Sequence, residues 1–470
     1  MCSPIRRSSG CRPLQTASCS DKRFKQEGQA MIKTNAKAGK TITIAALGIA
    51  VLVSGCAKKE AGPTGAAGSN DLKSPVMSAE PVTLTVFNSS MGDPLFQNAI
   101  VAPLKIKYPQ ITIEMIRKGK GSMMEDLIAA GKVPDIIFGD SSGDIPVYRE
   151  LGVLADLMPY MKKYAFDLNA FDPVVLGSVQ ANFPSGQFWM FPSSVNIATL
   201  HYNRDIFDKF GVPYPKDGMT WDETVDLAKR VTRMDGGVQY VGFDFATNVL
   251  LPYNQLSAPM VNAQTTKAAV NTDAWKKIFD TMKRFYEIPG NDWGKGGDAF
   301  LKSKTLAMYA GTSMFGSLPD ATKNGLNWDV VALPSFPEAP KTTIQLFAPL
   351  LGISGTSKHP DEAFLAIAHL LSVEGQRDNV RQGRPSALNN ADIKQQFGKD
   401  VEVLQGRNAG AFTYNKLAAT PQAVTKYDAL AFPIIRDKFR EAAVGGKDVN
   451  TALKEAEEAI NKEIEKKKNE

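Results

Sequence analysis

The chain has 470 residues, 43% of them hydrophobic and 22% charged, with a formal net charge of +6. That excess sits at one end: Met1–Gly55 holds nine Lys/Arg and two Asp/Glu, leaving 46 basic against 47 acidic residues in the remainder. A near-neutral body excludes the clustered positive charge of a nucleic-acid binder. Cys2, Cys11 and Cys19 precede the body and only Cys56 remains, so it can hold neither a disulfide framework nor a thiolate metal site.

In chain order, the first feature is an apolar run, Thr41–Val53, preceded by Lys33, Lys37 and Lys40 and closed by small residues. It has the length of a secretory h-region and is too short to span a bilayer, so 31–55 reads as a signal peptide. Its end, Val53-Ser54-Gly55-Cys56, resembles the lipobox of bacterial lipoproteins, which implies cleavage before Cys56 and acylation there. Residues 1–30 then read as an extension from an upstream start codon, with Met31 the working start. Residues 56–80, rich in Ala, Gly, Ser and Pro, have no apolar periodicity and are expected to form a flexible tether. Some 390 residues follow, more than one core usually supports, so two domains are expected.

Val82–Phe87 alternates as a strand, Leu95–Tyr108 has helical spacing, and Ile111–Ile116 alternates again. A helix over Ser122–Ala130 leads to Pro134–Asp140, whose unbroken Ile136-Ile137-Phe138 suits a strand buried on both faces. This order predicts an α/β fold with right-handed crossovers and a parallel sheet. Ligands of such sheets bind beyond the carboxyl ends of the strands, which directs attention to Asn88, Ser89 and Ser90, to Arg117, and to Asp140, Ser141 and Ser142. The competing reading of each is a turn residue.

Asn196–Asn203 reads as a strand, Thr220 and Glu223 form a capping box, and Trp221 is expected in the core. Strands are expected at Leu306–Ala310, Val330–Leu333 and Pro349–Ser354, and a helix from Pro360. The last helix is amphipathic through Leu453, Ala456, Ile460 and Ile464.

Enzyme signatures are missing. His201, His359 and His369 never stand at HExxH spacing and read as surface or helix-cap residues; Gly311-Thr312-Ser313-Met314-Phe315 lacks the last glycine of a nucleophile elbow; Gly119–Ser122 lacks P-loop order. No catalytic residue, metal or cofactor is called for, although a carboxylate pair of a surface glycosidase or lyase is spatial and escapes sequence inspection.

From Val82 to Glu465 the chain resembles the bacterial extracellular solute-binding proteins of family 1, the group similar to maltose-binding protein. The resemblance rests on PDIIFGD with LGVLADLMPYMKK, HYNRDIFDKFGVPYPKDGMTWDETVDLAKRVT, KSKTLAMYAGTSMFG, SKHPDEAFLAIAHLLSVEGQ and ALKEAEEAINKEI, in that order. It implies a two-lobed periplasmic-binding-protein-like fold of type II, each lobe a mixed sheet flanked by helices. Lobe one would take 81–200 and 346–405, and lobe two 201–345 and 406–470, with a hinge between them. It implies, too, a monomeric, lipid-anchored receptor at the outer face of the membrane, delivering a carbohydrate, expected to be an oligosaccharide, to ABC permease subunits. Carried residue by residue, the resemblance points to Asn88, Ser89, Asp140, Ser141, Asn196, Phe245, Thr312, Ser313, Phe315 and Phe347 as ligand contacts. Trp189, Trp293 and Phe432 are further candidate stacking platforms. An anionic solute is the alternative cargo, with Arg117 or Arg384 as its charge partner.

Overall fold

The computed structural model describes residues 77–469 apart from 142 and 421. The expected signal peptide, Cys56 and the tether as far as residue 76 lie outside the described residues. Of the four tether positions that are described, Met77 is buried and Gln110 donates through Nε2 to the Ser78 carbonyl at 3.1 Å, while Ser78, Ala79 and Glu80 are exposed.

In chain order the strands are β1 (Val82–Asn88), β2 (Ile111–Arg117), β3 (Ile136–Asp140), β4 (Met190–Pro192), β5 (Ala198–Asn203), β6 (Arg233–Asp235), β7 (Val238–Phe245), β8 (Val261–Asn262), β9 (Lys267–Ala268), β10 (Leu306–Thr312), β11 (Trp328–Ala332), β12 (Thr342–Gln345), β13 (Pro349–Ile353) and β14 (Lys416–Ala418). One five-stranded sheet has the order β2-β1-β3-β13-β4 and another the order β11-β5-β10-β7-β6. In the first, β1 is parallel to both β2 and β3, and β13 is antiparallel to β3. The second mixes the parallel pair β10/β7 with antiparallel pairs around β5. Thus both sheets are mixed and flanked by helices, as expected.

Local sequence explains the burial. β3 is central, and Ile136, Ile137 and Phe138 are all buried, whereas the edge strand β2 exposes Thr112 and Glu114 between its apolar residues. The segment expected as one helix over Leu95–Tyr108 is helical from Asp93 to Lys107 but widens to π geometry at Gln97–Val101, where Ala102 N–H donates to the Gln97 carbonyl. Pro103 is the cause: it has no N–H for the carbonyl four residues back, so the ladder shifts by one. Further on, the helix Trp221–Val231 begins with the predicted reciprocal cap, Thr220 N–H donating to Glu223 at 2.7 Å and Glu223 N–H to Thr220 Oγ1 at 3.2 Å. Trp221 is buried and donates through Nε1 to Gln255 Oε1 at 2.8 Å. The last helix, Val449–Lys468, buries Leu453, Ala456, Ile460 and Ile464 and no other apolar stripe.

The chain passes between the sheets in short segments. The boundary expected near Leu200 falls inside β5, which lies in the second sheet from its first residue, so the passage is 193–197. A second passage, 346–348, joins β12 to β13. Near Arg407, the chain is held to the edge of the second sheet: Asn408 N–H donates to Asp329 at 3.0 Å, and the guanidinium lies 4.4 Å from the Trp328 ring.

Two expectations for histidines are corrected. His369 is buried against Tyr108, with ring centroids 5.8 Å apart. His201, on β5, is completely buried, ringed by Phe300, Trp328 and Phe412. Its place in the middle strand of three is what overrides its polarity. His359 does stand at the N-terminus of the helix Pro360–Leu371.

Burial pushes the His201 imidazole down from 6.5 to about 3. Below pH 6.5 the unfolded chain takes up a proton that the folded chain refuses, so stability declines as pH falls from that value towards 3. One proton corresponds to about 1.4 kcal/mol per pH unit in that window. Urea titrations at pH 7.0 and 5.5 should therefore show His201→Leu losing about 1.4 kcal/mol less than the parent between the two pH values. Equal losses would mean that His201 is not the acid-sensitive group.

Candidate functional site

In the first sheet β2 lies on one side of β1 and β3 on the other, so the direction of winding reverses between β1 and β3. A crevice opens beyond the carboxyl ends of strands at such a reversal. Here it is a cavity of about 270 Å³, walled by Ser90 and Met91 after β1, Phe138 and Asp140 of β3, the passages Ser194–Ile197 and Phe347–Pro349, and Arg384. Ser313, following β10, and Phe412 bring in the second sheet's side.

A second cavity of about 210 Å³ lies beside it, walled by Gly143, Asn248, Tyr253, Leu346, Asp428 and Phe432, among others. The loop after β3 contributes to both, giving Asp140 to the first and Gly143 to the second. Phe347 lines the first and Tyr253 the second, and their rings stack with centroids 4.8 Å apart and planes 17° apart. The second cavity also meets Ala429, whose carbonyl receives no helical hydrogen bond from position 433, because Pro433 has no N–H.

The expected ligand contacts divide into those that face the cleft and those consumed by the fold. Asp140, Asn196, Ser313 and Phe347 line the first cavity together. Asn88 does not: it is fully buried, donating through Nδ2 to the Met91 carbonyl and accepting Met91 N–H through Oδ1, both at 2.9 Å. Its amide shapes the turn after β1, and the neighbouring Ser90, not Ser89, reaches the cavity. Ser141 is likewise buried, its Oγ accepting Ala348 N–H at 3.0 Å while its own N–H donates to the Ala348 carbonyl at 2.9 Å. It fastens the loop after β3 to the 346–348 passage.

Phe245 is a core residue, buried against Phe243, Trp293 and Phe439. Thr312 remains within β10, paired with Ala198. Phe315 lies behind the wall, 5.3 Å from Phe412, and so close to Gly383 that a Cβ there would come within 2.7 Å of its ring. It supports Phe412, the ring that lines the cavity. Of the other aromatic candidates Phe432 faces the second cavity, whereas Trp293 packs on Phe439 and Trp189 donates to Gln187. Tyr253 and Phe412 were not picked out by sequence reasoning, and neither carries a local signal: their roles arise from partners distant in the chain.

Asp140 also orders its own loop, accepting Gly143 N–H at 2.8 Å, while its N–H donates to Asp144 at 3.0 Å. Lys118 pairs with Asp144 at 2.8 Å and anchors the start of the next helix. The two arginines differ. Arg117 is ion-paired with Asp93 and donates to the Met91 carbonyl, so its charge is already met. Arg384 is half-buried, held by Asn379 Oδ1 at 3.0 and 2.8 Å and by Gln382 Oε1 at 2.9 Å, all neutral acceptors. No carboxylate among the described residues is paired with it, and burial alone lowers its affinity for its proton. The arrangement offers a bound molecule polar side chains, the aromatic residues Phe347 and Phe412, and one guanidinium with neutral acceptors only.

Comparison with known proteins agrees with this geometry. The sequence profile of bacterial extracellular solute-binding proteins matches residues 93–377. An sn-glycerol-3-phosphate-binding periplasmic protein of Agrobacterium fabrum is 24% identical over 312 residues, which are 61% of this chain and 65% of that protein, so less than two thirds of the relative's length is matched. Among solved structures, an ABC substrate-binding protein of Listeria monocytogenes in complex with cycloalternan superposes with a TM-score of 0.64 at 20% identity, covering 82% of this chain and 99% of that one. A sugar transporter of Rhizobium etli in an open conformation gives 0.66 at 18% identity, covering 81% and 99%. The shared fold is the two-lobed one of type II periplasmic binding proteins, and the chain belongs to the family of bacterial extracellular solute-binding proteins.

Proposed function

We propose that the protein captures a carbohydrate, in particular an oligosaccharide, between its two lobes and passes it to the permease subunits of an ABC importer. The observation that carries this reading is the cavity at the carboxyl ends of the β-strands, lined by Asp140, Asn196 and Ser313 and by Phe347, whose ring stacks on Tyr253 of the second cavity. Sugars need both surfaces: hydroxyls are matched by hydrogen-bonding side chains, and ring faces by aromatic rings. The cycloalternan bound by the Listeria protein is a ligand of that chemistry. Binding would favour the closed arrangement by its differential affinity for it, and closure would report occupancy to the permease. The solute would be released unchanged, in contrast to the products of a glycosidase or lyase.

A specific feature favours a second cargo. Arg384 presents an unneutralised guanidinium to the first cavity, which a phosphate or carboxylate would match, and the Agrobacterium relative is described as binding sn-glycerol-3-phosphate. Arg117, engaged with Asp93, has no part in this reading.

For cellular placement, we propose cleavage before Cys56, acylation of that residue, and attachment of a monomeric receptor to the outer face of the cell membrane by residues 56–80. Two or three acyl chains suffice for stable anchoring, whereas one is marginal. No helix among the described residues is long and apolar enough to cross a membrane.

Thermal shifts against neutral mono- and oligosaccharides and against sn-glycerol-3-phosphate separate the cargoes, since a ligand at 100 times its Kd adds about 2.7 kcal/mol of stability. Arg384→Gln should leave a neutral sugar's affinity within a few-fold, and should weaken an anionic solute by roughly 10- to 100-fold, the worth of a hydrogen bond to a charged group. Chromatography of the ligand after overnight incubation should return it unchanged; conversion would support the hydrolase instead. In cells, Cys56→Ser should abolish palmitate labelling and release the protein from the membrane fraction, and unaltered fractionation would eliminate the anchor.

A further inference from the structure

Arg384 owes its place at the first cavity to the way the helix Val373–Arg381 ends. Gly383, with a φ of 82°, donates its N–H to the Val380 carbonyl at 2.9 Å, and Arg384 donates its own to the Asn379 carbonyl at 3.0 Å. These are the paired bonds of a Schellman turn, which folds the chain back so that the side chain of residue 384 comes beside that of residue 379. The contact that accompanies such a turn is frequently apolar, but here it is polar. Asn379 Oδ1 accepts from Arg384 Nε at 3.0 Å and from Nη2 at 2.8 Å. The amide is buried, and its Nδ2 faces the Gly375 carbonyl at 3.4 Å, so a flipped amide would be wrong at both ends.

A guanidinium carries five N–H hydrogens. Asn379 takes one from Nε and one from Nη2, and Gln382 Oε1 takes the other from Nη2 at 2.9 Å. Neither acceptor belongs to the wall of the first cavity, whereas Arg384 does. The hydrogens of Nη1 meet no acceptor among the described residues.

We infer that Asn379 is a positioning and specificity-determining residue of the cleft: it holds the guanidinium by its Nε–Nη2 edge, leaves Nη1 for an oxygen of an anionic group, and, being an amide, leaves the positive charge unspent. An aspartate has the same shape and would make the same two bonds, but would neutralise the guanidinium while orienting it. Amide against carboxylate at position 379 thus separates a site for an anion from a site for a neutral solute. This role rests on the reading of an anionic cargo.

Calorimetric titration of the full chain with sn-glycerol-3-phosphate at about 50 mM and about 500 mM NaCl tests it. Asn379→Asp should weaken binding roughly 10- to 100-fold at the lower salt and flatten its salt dependence, the loss expected when a hydrogen bond to a charged group is spent elsewhere. Asn379→Leu releases the guanidinium without adding charge, so binding should weaken by up to about tenfold while the salt dependence stays. Gln382→Glu, at an exposed position, should change affinity in the same direction as Asn379→Asp but by less, and it decides the matter where the buried substitution prevents folding. A parent protein that binds the phosphate ester, beside variants that bind it as tightly and with the same salt dependence, would overturn the role of Asn379 and leave the anionic cargo standing. A parent protein that does not bind it would refute that cargo and this role together.

Discussion

Everything at the cleft depends on how the passages between the two sheets satisfy their own backbone. A chain leaving one sheet for another gives up its ladder partners, and buried N–H and C=O groups cannot go unpaired. Here the passages pair with each other: Ser193 N–H with the Pro349 carbonyl at 3.0 Å, Asn196 N–H with the Phe347 carbonyl at 2.9 Å, and Val195 N–H with the Pro385 carbonyl at 2.9 Å. Ser141 adds the loop after β3 to the same set through Ala348. Four parts of the chain remote in sequence are thereby held side by side, and the groups between those bonds line the first cavity.

That arrangement divides labour among chemically similar residues. Asn88 and Asn196 both follow or precede strands and both carry amides, yet the first spends its amide on the turn to Met91 and the second faces the cavity. Ser141 and Ser313 part in the same way, as do Arg117, neutralised by Asp93, and Arg384, surrounded by neutral acceptors. Among the rings, Phe315 props Phe412, while Phe347 of the first cavity and Tyr253 of the second brace each other. The polar positions at strand ends are thus a mixture of residues that build the rim and residues that the rim presents.

The same passages separate two volumes. On one side is the cleft with its uncompensated guanidinium, and on the other a larger cavity of mixed polar and apolar lining between the helix Pro173–Gln180 and β14. Because Val195, Ile197, Pro385 and Phe412 are common to both walls, any relative movement of the two sheets alters both volumes at once.

Much of the scaffold was legible because its causes are local. The unbroken Ile136-Ile137-Phe138 run marked a central strand, Thr220 and Glu223 marked a helix start, and the spacing of Leu453, Ala456, Ile460 and Ile464 marked a buried stripe, since period and capping act over a few residues. The rule that ligands lie beyond the carboxyl ends of such strands then directed attention to the loops after them. What only the tertiary structure decided was which members of that crevice line the cavity: Phe245 looked like a ligand contact until its neighbours Trp293 and Phe439 enclosed it, and Tyr253 carried no signal until Phe347 lay against it. A side chain's partners come from segments tens to hundreds of residues away. Local sequence therefore fixes where polar groups gather, but long-range packing determines which of them are already spoken for.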